Sequence, residues 1–353
     1  MMIALTVSFT LCGCNNGSAN QSIETVIPAQ ASKATESMPE DDGTDGIGDT
    51  FLGETKKPDE EQESDELDLI MFMGQYNMSG EGGDASLAPK VKETAGMEFR
   101  AISDPTRLYP IEEPFGASEN DPSGLNEFPG VKKGSLVSSF VNEYHKLTGR
   151  KVIAVSASMS NADMEIWTSE GVMADVKHRL DAAISFLKDN GCNIGHIYVL
   201  WLHGESDGLK GSTADSYRKS LDRVMSPLLK EGLEEVFIIT PGRTIDYTDV
   251  YDSVIKAQTD LCKESKYYTV ATTVLSGVSP EYMVDQYHYN QHVLNYVGTE
   301  AAKSVAYYTL NNTKKIVYDY KTGEYIVPNG IDENSQDKDA QQYPSEIDIN
   351  KLY

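Results

Sequence analysis

Cysteine is nearly absent from this chain of 353 residues, which has four, at positions 12, 14, 192 and 262. The two beyond the first fourteen residues make no disulfide framework for a large domain. No C-x-x-C pair is present to build a structural zinc site. Positive charge is short as well. Thirty Lys and Arg stand against 55 Asp and Glu, a formal net charge of −25. Such a surface repels a phosphate backbone, so nucleic acid is not an expected partner. Long apolar runs are missing too. The opening stretch MMIALTVSFTLCG falls short of the roughly 20 residues needed to span a bilayer, and no later segment approaches that length.

What the opening stretch does provide is an apolar run followed at once by Cys14. It reads as the end of a secretory signal, and LCGC is similar to a bacterial lipobox. That predicts residues 1–14 as a lipoprotein signal, with Cys14 lipidated and the mature chain anchored by its lipid at the outer side of a bacterial cell envelope. Residues 15–66 carry fourteen acidic side chains against three lysines, filled out with Ser, Thr, Gln, Gly and Pro. Such a segment cannot bury enough apolar surface to offset its ordering entropy, and it predicts a disordered acidic linker.

From Leu67 onward short apolar runs alternate with amphipathic stretches. LDLIMFM (67–73), KVIAVSA (151–157), HIYVLWL (196–202), EVFIIT (235–240) and YTVATTV (268–274) have the composition of strands buried on both faces. Helical patterns lie between them at about 135–148, 172–190, 213–230 and 248–265, with a last one at 290–309. In the second, Val172, Val176, Leu180, Ile184 and Leu187 form one stripe, and Gly191 ends it. The third is read as opening on Ser212, with Asp215 three residues on.

Five β-then-α units predict a three-layer α/β/α sandwich around a parallel, five-stranded, flavodoxin-like sheet spanning 67–312. Residues 84–133 are a long insertion, read as a wall of the site. Residues 313–353 are read as a hairpin around KTGE followed by a polar tail.

Ligands on such sheets bind beyond the carboxyl ends of the strands. After the first strand comes GQYNMSG, after the second SASMSNADMEIW, and after the third HGESDG. After the fifth, VDQYHYNQ puts Asp285 three residues before His288, a spacing that lets a carboxylate orient an imidazole toward a cleft. Glu205 and Asp207 read as residues that hold neighbouring loops together. Trp167, Tyr287 and Tyr289 could either stack on sugars or pack. His203 beside Glu205 and Asp207 has no second histidine at ligand spacing, so no metal is expected.

Together these segments resemble the SGNH hydrolases, and most closely the sialate O-acetylesterase and carbohydrate esterase family six group. The resemblance covers about residues 67–309 and implies cofactor-free removal of O-acetyl groups from sugars. In that family the first block reads G-Q-S-N-M with the serine as nucleophile, so Tyr76 stands at the nucleophile position. His288 is implied as the base and Asp285 as its orienter. Ser160 and Asn161 occupy the oxyanion block, with the amides of Tyr76 and Ser160 implied as donors. Gly204, Glu205, Ser206 and Asp207 match the third block, where His203 replaces a glutamine; Ser160, Asn161, His203, Gly204 and Glu205 are the implied oxyanion and substrate-binding set.

A phenol is long and rigid where the chemistry needs a compact hydroxyl against His288. Ser79 lies too far from the turn to substitute, and Ser206 reads as bonding loop backbone. The sequence therefore predicts a carbohydrate acetylesterase-family lipoprotein with activity lost or strongly reduced. The alternatives are a carbohydrate-binding pseudoenzyme, or a hydrolase in which Asp285 and His288 activate water directly. An acetylated sugar or glycan is the expected ligand.

Overall fold

The structure is a computed structural model, and it describes residues 66–336, 343–344 and 346–351. Cys14 and the linker before residue 66 lie outside the described residues. Four of the five anticipated strand–helix units begin at the residues the apolar runs mark. β1 (Leu67–Gly74) is followed by two short strands, β2 (Gly96–Phe99) and β3 (Leu108–Pro110), and by helix α1 (Val137–Thr148). Then come β4 (Lys151–Ser158), the short α2 (Met164–Trp167), α3 (Glu170–Asp189), β5 (Ile194–Leu202) and the short α4 (Glu205–Leu209). The body closes with α5 (Ala214–Lys230), β6 (Glu235–Ile239), α6 (Asp252–Glu264), β7 (Tyr268–Thr272) and α7 (Gln291–Asn311).

The sheet order is β3-β2-β4-β1-β5-β6-β7, with β3 antiparallel to β2 and the rest parallel. Seven strands, not five, therefore form the sheet. The five anticipated strands keep the flavodoxin-like order. The two extra ones come from the insertion and extend the β4 edge. They escape sequence reading because GMEF and LYP are short and carry no apolar run against which periodicity could be measured.

Alternation along β1 divides the core. Leu69, Met71 and Met73 face α3, α5 and α6, while Ile70 and Phe72 face α1 and α7. Helices cover both faces, which gives the three layers. In α3 the stripe Val172, Val176, Leu180 and Leu187 is buried as its spacing requires. Thr213, not Ser212, caps α5, its hydroxyl accepting the Ser216 amide. The last hairpin, β8 (Val317–Asp319) with β9 (Glu324–Ile326), turns at Lys321–Thr322–Gly323. The tail after it is less polar in structure than in composition. Ile347 and Ile349 are buried, and Ile347 donates to Gly277 O at 2.7 Å.

The insertion is fastened from the opposite face of β4. Arg179 on α3 is 1% exposed and pairs with Asp175 at 2.8 Å; it also donates to Ser156 O and to Glu119 O, both at 2.8 Å. The other Asp175 oxygen accepts the Leu125 amide at 2.8 Å. Losing one partner of such a pair leaves an uncompensated buried charge. Arg179→Ala should cost about 3–5 kcal/mol, read as a drop in the urea midpoint. A loss below about 1 kcal/mol would mean that Asp175 finds water instead.

Candidate active site

Gly74 ends β1 with φ +145°, and a Cβ there would lie 1.9 Å from Leu202 O on the neighbouring strand. Only glycine lets β1 and β5 approach so closely before the chain turns. Two residues on, Tyr76 sits at φ 43°, in the left-handed region that a bulky side chain avoids. The turn then tightens helically, Gly80 and Glu81 both donating to Tyr76 O. Strain of this kind persists only where the surroundings over-determine it.

Those surroundings are a buried polar net. Glu205, 1% exposed at the start of α4, accepts from Gln75 Nε2 and Asn77 Nδ2, both at 3.2 Å. Asn77 Nδ2 also donates to Tyr287 O at 3.2 Å, and Asn77 Oδ1 accepts the Tyr289 amide at 3.0 Å. Burial raises the Glu205 carboxyl, opposed by a backbone amide and these side-chain amides. Asp207 likewise accepts the Met164 amide at 3.1 Å, and burial pushes it up to about 6. Both acids hold loops, as their position suggested. Glu205 and Gly204 thus lie beneath the cleft rather than in it. Gly204 is required there, since at φ +129° a Cβ would meet Val254 at 2.3 Å.

His203 also faces inward, contrary to the role its block implied. It is fully buried, with Nε2 2.7 Å from Ala162 O and Nδ1 3.0 Å from the Tyr217 hydroxyl. Because a carbonyl can only accept, Nε2 carries the proton and Nδ1 accepts. Its ring lies 4.7 Å from Trp201, and burial pulls its pKa down to about 3. Trp167 and Tyr289 pack rather than line a sugar site: each is buried, and Tyr289 donates to Leu275 O at 3.1 Å.

At the cleft itself, His288 Nδ1 lies 2.8 and 2.9 Å from the two oxygens of Asp285. Asp285 Oδ1 also accepts the amides of Tyr287 and His288 at 2.9 Å, which fixes the carboxylate before it meets the ring. Burial works against ionisation of Asp285, but these donors hold it below the usual carboxylate range. The proton on Nδ1 is thereby fixed, and Nε2 faces the cleft. It meets Glu81, whose Oε2 is 3.2 Å away in an ion-pair contact.

The Tyr76 ring stands 5.0 Å from the His288 ring and 6.2 Å from Tyr287, but its hydroxyl passes the imidazole and donates to Asn161 Oδ1 at 2.5 Å. Among the described residues no hydrogen bond joins Tyr76 to His288. Burial raises the phenol's pKa, opposed by the Ser206 hydroxyl, so it stays protonated. Asn161 holds its acceptor in place from a left-handed residue of its own, at φ 58°.

The insertion reaches the segment after β4. Glu127 Oε2 accepts the Ser160 amide at 2.6 Å. The amide implied as an oxyanion donor is therefore occupied by a carboxylate from the same chain. Lys132, buried and lowered by that burial to about 8, reaches Ser158 Oγ at 2.8 Å and props the same segment. Glu81 and Glu127 were missed by sequence reasoning. Glu81 had a weak signal, lying five residues after Tyr76 in a turn that folds back on itself. Glu127 had none.

Among the described residues no group of three His, Cys, Asp or Glu is placed to hold a metal, and no helix is long and apolar enough to cross a membrane. A family model described as carbohydrate esterase, sialic acid-specific acetylesterase, matches residues 66–307. Among solved structures, a protein from Arabidopsis thaliana is 20% identical with a TM-score of 0.48, over 70% of this chain and 99% of that one. NanS is 13% identical with a TM-score of 0.47, over 70% and 98%. A catalytic mutant of Axe2, an acetylxylan esterase from Geobacillus stearothermophilus, is 12% identical with a TM-score of 0.36, over 68% and 94%. A comparison with curated proteins finds no match.

The inward His203 has a pH signature. Its folded pKa, about 3, lies below the unfolded value of about 6.5, so its stabilising contribution is full above that value and is lost as pH falls toward 3. The loss is about 1.4 kcal/mol per pH unit within that window. His203→Gln, which keeps a donor for Ala162 O, should flatten this acid limb when urea midpoints are compared at pH 7.5 and 5. Parallel pH profiles for the two proteins would mean that His203 becomes protonated in the folded state.

Proposed function

Because the chain belongs to the sialic acid-specific acetylesterase family of carbohydrate esterases, we propose that it keeps a cleft for acetylated carbohydrate while acyl transfer is lost or strongly reduced. The observation that carries this reading is the Tyr76 hydroxyl, which bonds Asn161 and makes no bond to the base. Ester cleavage by a covalent route needs a nucleophile hydrogen-bonded to the imidazole and amide donors around the developing oxyanion. At the nucleophile position stands a protonated phenol, and the Ser160 amide is spent on Glu127. The chain's own residues still orient His288 through Asp285 and still form walls from the insertion and from the partly exposed Tyr287. Recognition without turnover is the function this arrangement supports best. Anchoring through Cys14 at the outer face of a bacterial envelope belongs to the same proposal and rests on the sequence.

Wild-type protein should hydrolyse p-nitrophenyl acetate near background and take no label from a fluorophosphonate. Tyr76→Ser should gain labelling and part of the rate, since a missing oxyanion donor typically costs 10²–10³-fold. Robust wild-type turnover that survives Tyr76→Phe but disappears with His288→Ala would replace this reading with direct water activation by Asp285 and His288.

A further inference from the structure

In an acyl-transfer site of this design the nitrogen of the base that faces the cleft takes a proton from the nucleophile's hydroxyl. Here that nitrogen, His288 Nε2, faces a carboxylate 3.2 Å away. The carboxylate belongs to Glu81, brought back over Tyr76 by the turn in which the Gly80 and Glu81 amides donate to Tyr76 O. The chain has no freedom to retreat nearby. At the next residue, Gly82, a Cβ would lie 2.7 Å from His288 Cβ and 2.4 Å from Tyr289 O. Glu81 is thus pressed against the imidazole by backbone packing, its Oε2 and His288 Nε2 both buried.

We propose that Glu81 is a positioning residue that closes a carboxylate–imidazole–carboxylate clamp on His288, so that the ring carries two protons and acts as a donor instead of a base. This rests on the reading above, and it assigns the loss of acyl transfer to a second cause that is independent of Tyr76. The groups facing His288 from each packed element are Asp285 and Tyr287 on its own loop, Tyr76 and Glu81 after β1, and Glu205 at α4. Lys133 and the Ser160 hydroxyl act on Glu81 itself and help to keep it ionised. Burial of the ring opposes its charge, but Glu81 and Asp285 outweigh it and the imidazole is raised above its usual value. While Nε2 carries its proton it cannot accept one from a serine introduced at position 76.

The test is the protonation of His288, followed by ring NMR through a pH titration with the other five histidines as internal references. In wild type, His288 should titrate above about 6.5. In Glu81→Gln, which keeps the side-chain shape and removes the charge, it should move down by about one unit or more. A structural role alone would not produce that shift. In activity, Tyr76→Ser should show a rate that rises with pH until Nε2 loses its proton. Adding Glu81→Gln should raise that rate at pH 7 by up to about tenfold and bring the plateau to lower pH, because one unit of pKa changes the neutral fraction about tenfold. Should Glu81→Gln fail to fold, the wild-type titration still decides, since a His288 value at or below about 6.5 overturns the clamp. An unmoved titration in Glu81→Gln overturns it as well. Neither result depends on turnover, so a low or unmoved His288 titration would defeat this inference while leaving the proposed function, which rests on Tyr76, standing.

Discussion

Asn77 and Glu205 hold the sheet edge together. The carboxylate of Glu205 takes the side-chain amides of Gln75 and Asn77, and Asn77 reaches on to the backbone of Tyr287 and Tyr289. Three segments from three different strand ends are thereby fixed to one another in a region that excludes water. A half-satisfied polar net at that depth would be costly, whereas one with its partners in place rigidifies the loops around it. The strained turn at Tyr76 and the approach of the His288 loop both depend on it.

That dependence makes the shape of the turn independent of the side chain at position 76. The left-handed residue at position 76 is set by Gly74, by the helical turn that follows, and by the net beneath, none of which involves the side chain at 76. The Tyr76 ring lies beside that of His288, and its hydroxyl finds an acceptor in Asn161. Glu127 lies on the Ser160 amide and Glu81 at His288. Each puts a negative charge where a developing oxyanion or a neutral base would be needed.

The sequence by itself determined the layered α/β body, the order of its five long strands and the segments at their carboxyl ends. These depend on local patterns: apolar runs of strand length, one-face helical stripes, and glycines where the backbone must turn. It also marked Tyr76 at the turn and the Asp285–His288 spacing, because a three-residue separation within one loop is itself local. Only the tertiary structure decided which way His203 points, that Glu205 lies under the cleft, and that β2 and β3 join the sheet. It alone brought Glu127 to Ser160 and Glu81 to His288. A side chain's facing can be read from its neighbours in sequence only inside a regular element. In a loop, each hydrogen bond is completed by whichever donor or acceptor the packing of distant segments delivers, and that choice is made by burial and satisfaction of polar groups across the whole fold.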